Sequence, residues 1–316
     1  MSTWTLKSKP PHDWFICLDI DPYFDHEHDT VRIFEHGFTR PIPLKERDIL
    51  VTVHFNGDVE NPEFTIRSPE DLTTEEIGQA NKSLARIFGT NLDLRPFYDQ
   101  ACKDPVLAPL MTEYYGLKRM SRATLLDDII NRIIQMRLSH KPTAKKMVYK
   151  VRERYGTHLI HEGQTIPAWP RAFQLAQAQP ARIRELGPTL RKGEYITDLA
   201  RDIRAGEINL EWLDSIADPL IFFSKISDIR GIGPTSAQDL MLFCPRTDAA
   251  FPSNKQKGME KGLRRWIILS YGGDPEKTSE HEFSKMIEKW RGYEAAGIEF
   301  LFVNWIVSNL REKQNE

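Results

Sequence analysis

Residues 229–237 read IRGIGPTSA, and this stretch carries most of the information about the fold. An apolar helix is expected to end just before it, and a new helix to begin at Ser236. Glycine at Gly231 and Gly233 allows the positive φ angle and the close backbone approach that a tight turn between two helices requires. The stretch therefore predicts a helix–turn–helix unit, called the hairpin below, at about residues 220–245.

The second helix of the hairpin offers a site for an anion. Its first turn leaves backbone N–H groups without helical partners, and the helix dipole adds partial positive charge there. Such a terminus can bind a DNA phosphate without reading the base sequence, so Gly231, Gly233 and Thr235 are candidate DNA contacts. A Rossmann dinucleotide site is excluded, because no strand precedes the turn and no third glycine follows it. An ordinary turn is the alternative, since Gly-Ile-Gly alone is a weak signal.

Positive charge follows the hairpin. Residues 254–265 hold five basic residues and one acidic residue, among them Lys255 and Lys257, which are candidate contacts to further phosphates. A solvated helix face is the alternative. Residues 1–117 hold 11 Lys+Arg against 20 Asp+Glu, a net charge of −9, whereas residues 118–316 hold 32 against 25, a net charge of +7. A basic C-terminal part is typical of a domain that binds a polyanion.

The composition predicts a soluble globular protein. Its 316 residues are 40% hydrophobic and 28% charged, which suits about two domains and argues against a disordered chain. No apolar stretch approaches the ~20 residues of a membrane span, and the N-terminus lacks the apolar core of a secretory leader. The three cysteines are far apart, which argues against a structural zinc or a disulfide framework and fits the cytoplasm. His26 and His28 could hold a metal, but a solvated loop is the favoured interpretation.

The spacing of apolar residues predicts two parts with different secondary structure. Residues 1–91 are expected to form a small antiparallel sheet with one helix, which a capping segment at residues 71–76 opens and Gly89 closes. The strands are expected at residues 14–18, 31–34, 49–55 and 64–67, with a turn at Asn56-Gly57-Asp58. Residues 92–316 show helical spacing and no β-like alternation.

The hairpin and four other segments resemble the helix-hairpin-helix DNA glycosylase superfamily, and in particular its bacterial 3-methyladenine and its 8-oxoguanine glycosylases. The other segments are PPHDW at 10–14, LGPTLRKGEYI at 186–196, residues 206–213 before the hairpin, and EKWRGY at 288–293. The resemblance covers nearly the whole chain. It implies an α+β protein, with an N-terminal antiparallel α/β domain followed by two helical subdomains that enclose a DNA cleft.

The resemblance also implies two catalytic side chains, and this sequence lacks both at the expected positions. Asn254 is paired with the family's Asp, which stabilises positive charge on the sugar and orients the attacking water. Thr235 is paired with the Lys that forms a Schiff base in bifunctional members. Asn254 can hold a water through its carbonyl but cannot act as a base. That suits a cationic alkylated base, which departs with little help, and it predicts a monofunctional enzyme without lyase activity.

Four further residues are placed at the site by the resemblance. Asp239 takes the position at which family members present an apolar, aromatic or cysteine side chain to the flipped base. Its carboxylate could accept hydrogen bonds from a base edge or act in place of the missing Asp, which makes it the second catalytic candidate, with a solvent-facing helix carboxylate as the alternative. Tyr293 takes the position of a stacking aromatic residue, or is an ordinary core tyrosine. Arg137 or Leu138 falls near the loop whose wedge fills the hole left by the extruded base, with a helix-end contact as the alternative.

Two functions follow from these residues. The first is a monofunctional DNA glycosylase of base excision repair, which flips a damaged, alkylated base and releases it by hydrolysis of the N-glycosidic bond. The second is a non-catalytic paralogue that binds damaged or structured DNA. Both predict double-stranded DNA as the partner of a monomer in the cytoplasm, at the nucleoid. No cofactor is expected, apart from a monovalent cation that backbone carbonyls of the hairpin could hold.

Overall fold

The computed structural model of the protein describes residues 1–20, 32–34, 36–138, 140–253, 255–260 and 262–315. Asn254, His26 and His28 lie outside these ranges. The strands are β1 (Ser2–Lys7), β2 (Arg32–Phe34), β3 (Gly37–Pro43), β4 (Asp48–Phe55), β5 (Glu63–Ser68), β6 (His158–His161) and β7 (Gln164–Pro167).

The helices span both parts of the chain. They are α1 (Trp14–Ile20), α2 (Thr74–Phe88), α3 (Arg95–Ala101), α4 (Ala108–Glu113), α5 (Leu125–Gln135), α6 (Lys141–Tyr155), α7 (Ala172–Ala176), α8 (Pro180–Glu185), α9 (Leu190–Ala205), α10 (Leu210–Asp214), α11 (Pro219–Ser227), α12 (Pro234–Phe243), α13 (Leu263–Ser270), α14 (Glu280–Ile287) and α15 (Glu294–Asn315), with a 3-10 turn at Glu288–Trp290. Within the described ranges, none has the length and apolar content needed to cross a bilayer.

The N-terminal sheet is antiparallel throughout and has the strand order β1-β5-β4-β3-β2. Helix α2 covers it, and the ring of Phe88 stacks on Phe64 of β5 at 4.5 Å between centroids. The predicted helix ends are confirmed. Thr73 and Glu76 form a capping box, and Gly89 ends the helix in the left-handed conformation with φ 60°. The α+β class and the N-terminal antiparallel sheet are therefore confirmed.

The prediction of a strand at residues 14–18 is wrong, because this segment lies in helix α1. The Oδ1 atom of Asp13 accepts hydrogen bonds from the backbone N–H groups of Phe15 and Ile16 at 2.9 and 3.1 Å, which caps the helix. Trp14 and Cys17 lie one turn apart and are both fully buried. A short apolar run looks alike in a buried strand and a buried helix, so spacing alone could not decide.

The expectation of no strands after residue 92 is also wrong. β6 and β7 pair as a two-stranded antiparallel sheet between α6 and α7. Its turn residues, Glu162 and Gly163, have φ angles of 50° and 75°, as a two-residue hairpin turn requires. Each strand has four residues, which is too short for alternation to stand out from the helical spacing around it.

Buried ion pairs join the sheet part to the helical part. Arg86 of α2 contacts Asp128 of α5 at 2.7 Å and Asp214 of α10 at 3.0 Å. Arg122 contacts the other oxygen of Asp128 at 3.1 Å. The side chains of Arg86, Arg122 and Asp128 are at most 7% exposed, so the loss of any one would leave a buried charge unpaired. The expected boundary at residue 91 stays a prediction.

Candidate active site and DNA-binding surface

The hairpin consists of α11, a turn at residues 228–233, and α12. Helix α12 begins at Pro234, two residues before the expected start at Ser236. Proline suits this first helical position, because its fixed φ angle matches the helix and its missing N–H would have had no helical partner. Gly233 is the N-cap, with φ −86° and ψ 171°.

Gly231 is required by the packing of the hairpin itself. Its φ angle is 95°, and a Cβ atom at this position would lie 2.5 Å from Cδ2 of Tyr195. The Tyr195 ring lies in turn under the guanidinium groups of Arg230 and Arg191, at 5.5 and 5.7 Å. A side chain at Gly231 would therefore disturb the turn from inside, whatever it did to a phosphate.

Gly233 has a different environment. A Cβ atom here would meet no atom within 4 Å, so this side of the backbone is open. The N–H groups of Thr235 and Ser236 find no acceptor among the described residues. The first turn of α12 therefore presents free donors and the positive end of the helix dipole at an open surface, which is suited to an anion.

Gln238, a buried residue of α12, holds the two ends of the loop between α12 and α13, which is described at residues 251–253, 255–260 and 262. Its Nε2 donates to the carbonyl of Ala250 at 3.1 Å, and its Oε1 accepts from the N–H of Leu263 at 2.9 Å. Gly258, with φ 88°, lies so close to Pro234 that a Cβ atom would be 3.2 Å from the proline ring. The loop thus returns to the start of α12.

The loop also carries the two lysines that the sequence analysis assigned to DNA. Lys255 and Lys257 are exposed. Lys257 is next in sequence to Gly258, the residue that packs on Pro234. Lys257 therefore lies near the start of α12, and the contact of both lysines with phosphates stays a prediction.

Asp239 is half-buried and paired, and its place in a base pocket stays a prediction. Its Oδ2 lies 2.7 Å from Nη2 of Arg132 on α5, and Nε of Arg132 donates to Oγ of Ser236 at 3.1 Å. Burial raises the pKa of the Asp239 carboxyl, and the charges of Arg132 and Arg119 offset only part of that rise. Asp239 is thus the partner of an arginine, and its catalytic role stays a prediction.

Three residues that the sequence analysis missed accompany Asp239. Arg132 is one. The others are Arg119, which lies between α4 and α5, and Glu299 of α15. They form an ion pair, and both side chains are less than a tenth exposed. The guanidinium of Arg119 lies 6.0 Å from the ring of Phe243, one helical turn after Asp239. Glu299 carried a signal, because a carboxylate inside the apolar run GIEFLF is unusual unless it is paired.

Aromatic rings continue along the face of α15 that carries Glu299. Phe302 lies one turn beyond Glu299, and its ring is 5.6 Å from that of Trp266 on α13. Trp266 also contacts Trp305 edge to face at 4.7 Å, and half of Trp305 is exposed.

The candidate wedge lies where α5 ends. Arg137 is exposed and has φ 59°, a left-handed conformation that is strained for a residue with a side chain. Leu138 is half-buried. Lys192 of α9 fixes this end of α5, because its Nζ donates to the carbonyls of Ile134 and Met136, each at 2.7 Å. Arg137 is therefore the more accessible of the two candidates.

Tyr293 lies directly before α15 and is half-buried. Its ring is 5.8 Å from that of Phe97 on α3, the one ring contact that the described residues give it. This contact suits the core interpretation, and its place in a base pocket stays a prediction.

Comparison with known proteins agrees with this geometry. The chain is 27% identical over 229 residues to DNA-3-methyladenine glycosylase of Bacillus subtilis (strain 168), with 72% of each chain covered. The structure matches 3-methyladenine DNA glycosylase from Archaeoglobus fulgidus with a TM-score of 0.74 and 20% identity, over 95% of this chain and 97% of that one. It matches Clostridium acetobutylicum 8-oxoguanine glycosylase/lyase, solved with double-stranded DNA, with a TM-score of 0.69 and 18% identity, over 97% and 98%. None of the protein-family models searched matches the chain.

In its hairpin, its α+β architecture and its sequence, the chain is similar to DNA glycosylases of the helix-hairpin-helix superfamily.

Proposed function

We propose that the protein is a monofunctional DNA glycosylase of base excision repair, which releases a damaged, alkylated base by hydrolysis of its N-glycosidic bond. The observation that carries the proposal is the open N-terminus of α12. It places free backbone donors beside a lysine-bearing loop, with the Asp239–Arg132 pair one helical turn further along. A backbone grip next to a partly exposed polar pair is an arrangement suited to hold a duplex and to contact an extruded base.

Each part has a role in the proposed reaction. The N–H groups of Thr235 and Ser236 bind a phosphate, and Lys255 and Lys257 bind its neighbours, so the duplex is fixed without sequence preference. Arg137 fills the space that the extruded base leaves in the stack. Asn254 holds the attacking water through its side-chain carbonyl.

The sequence at position 254 limits the substrates. An amide cannot stabilise positive charge on the sugar as a carboxylate does, so the bond must break with little help. A base that carries a positive charge is a good leaving group and meets this condition. An alkylated purine is such a base, whereas neutral damaged bases are not.

A base-release assay tests the proposal. Duplex oligonucleotides that each contain one 3-methyladenine, 7-methylguanine, hypoxanthine, uracil or 8-oxoguanine are incubated with the protein, and the free base is quantified. We expect release of an alkylated base and none of the neutral ones. The second candidate function, a non-catalytic DNA-binding paralogue, is favoured by the amide at Asn254. It is supported instead if the protein binds these duplexes and releases nothing.

Lyase activity is expected to be absent, because Thr235 has no amine to attack the sugar. Incubation with abasic DNA and borohydride should give no covalent protein–DNA adduct. An adduct that maps by mass spectrometry to Lys255 or Lys257 would contradict the monofunctional assignment.

The monovalent cation at the hairpin carbonyls also stays a proposal. It predicts tighter DNA binding in potassium than in an equal concentration of a bulky organic cation.

A further inference from the structure

The Asp239–Arg132 pair is only partly satisfied by the protein. Arg132 uses Nη2 on Asp239 and Nε on Ser236, and Asp239 uses Oδ2. Among the described residues, neither Oδ1 of Asp239 nor Nη1 of Arg132 has a hydrogen-bond partner. The two side chains are 33% and 26% exposed. The two contacting side chains thus keep one unused acceptor and one unused donor, and both side chains are partly exposed.

This arrangement is matched by a lactam edge, which guanine shares with hypoxanthine and uracil. A carboxylate only accepts hydrogen bonds and a guanidinium only donates them, so the pair needs a donor next to an acceptor. The lactam edge of guanine meets this need, with a ring N–H next to a carbonyl oxygen. Its exocyclic amine, on the other side of the N–H, offers a second donor to the same carboxylate.

We propose that Asp239 and Arg132 determine specificity by reading the lactam edge of a guanine-derived base, with the ring N–H donated to Asp239 and the carbonyl accepting from Arg132. The inference rests on the proposed function and names its substrate class. It depends on a feature particular to this chain, because the resemblance implies an apolar, aromatic or cysteine side chain at position 239.

The competing alkylated base fits the pair less well. 3-Methyladenine presents an amino group beside a ring nitrogen. The amino group could donate to Asp239, but Arg132 would then face a nitrogen of a positively charged ring. Such a nitrogen is a poor acceptor, and the two positive charges repel each other. A carbonyl oxygen keeps its lone pairs when the positive charge lies on the other ring of the purine.

Undamaged guanine has the same edge, so the edge contact alone would not spare it from excision. Protection comes from the leaving group, since neutral guanine departs slowly from a site that has an amide in place of the family's carboxylate. Alkylation at N7 places the positive charge on the imidazole ring, away from the lactam edge. Edge and leaving group together therefore select N7-alkylated guanine.

The test compares two lesions under single-turnover conditions. Duplexes that differ only in carrying 7-methylguanine or 3-methyladenine are mixed with excess protein, and the rate of base release is measured. The wild-type protein should release 7-methylguanine about 10-fold faster or more, as expected for one good two-point base contact. Asp239→Asn and Arg132→Gln should each lower that rate by about 10-fold and change 3-methyladenine release by less. The change in the ratio of the two rates is a readout that general destabilisation would not give.

The matched control is Asp99→Asn. Asp99 is exposed on α3 and has no hydrogen bond or ion pair among the described residues. The same change of carboxylate to amide there should leave both rates within about twofold.

The outcomes separate this inference from the proposed function. If 3-methyladenine is released as fast as 7-methylguanine, or if both variants lower the two rates equally, the glycosylase stands and the edge reading is wrong. If neither base is released, the proposed catalysis fails, and the edge reading is tested by binding. The probe is then a duplex with 2′-fluoro-stabilised 7-methylguanine. The edge reading is supported if the protein binds this duplex more tightly than one with 3-deaza-3-methyladenine and if Asp239→Asn removes that difference. If the wild-type protein shows no difference, the edge reading is overturned.

Discussion

Asn254→Asp is expected to raise the rate of base release by about 100-fold, within the range that one positioned acid or base group contributes to catalysis. The change restores the carboxylate that the resemblance implies at this position. A negative charge there stabilises the developing positive charge on the sugar and can accept a proton from the attacking water. Because the carboxylate then assists cleavage of the glycosidic bond, neutral damaged bases should also become substrates. Single-turnover release from the five duplexes of the base-release assay measures both effects.

Two variants make this result interpretable. Asn254→Ala should slow release by less than 10-fold if the amide only orients water. Asn91→Asp makes the same chemical change at an exposed residue between α2 and α3 and should leave the rate unchanged. If Asn254→Asp and Asp239→Asn are both silent in an active protein, the catalytic group lies elsewhere and the pairing of Asn254 with the family's Asp is wrong.

Gly233→Asp is expected to lower the affinity for undamaged duplex DNA by about 100-fold while the fold is kept or slightly stabilised. The backbone at Gly233 has φ −86° and ψ 171°, a side chain would meet no atom within 4 Å, and aspartate is a good N-cap. Its carboxylate would then occupy the position of the DNA phosphate, and its negative charge would repel the phosphate. The slope of log affinity against log salt concentration should become less steep by the amount expected for the loss of about one phosphate contact. Fluorescence anisotropy at several salt concentrations and thermal unfolding provide the two measurements.

Gly78→Asp is the matched control, since Gly78 lies on α2 with open space around it and no positive φ angle. It adds the same charge and should change affinity by less than twofold. Gly231→Asp is expected to lose both affinity and stability, because of its φ angle and the Tyr195 ring. Wild-type affinity in a well-folded Gly233→Asp protein would show that the hairpin does not hold a phosphate.

The parts of the fold that local chemistry sets were predicted correctly. The hairpin follows from two glycines and a proline within four positions, and the ends of α2 follow from Thr73 and Gly89. In each case the deciding interactions lie within one helical turn, so the sequence contains them. The positive charge of residues 254–265 is likewise visible in the sequence, but the place of this segment beside α12 depends on the contacts of Gln238 with Ala250 and Leu263.

The interactions that give the candidate site its character were decided by tertiary structure. Arg132 meets Ser236 across 104 positions, and its pair with Asp239 exists only because α5 packs beside α12. The reason for glycine at 231 is the ring of Tyr195 on α9. The cap at Asp13 is local, but segment 14–18 is placed as a buried helix by the packing of Trp14 on Phe38 of the sheet, at 5.6 Å between ring centroids. Turns and caps are fixed by neighbours in sequence, whereas ion pairs and close backbone approaches depend on which distant helices the core brings together.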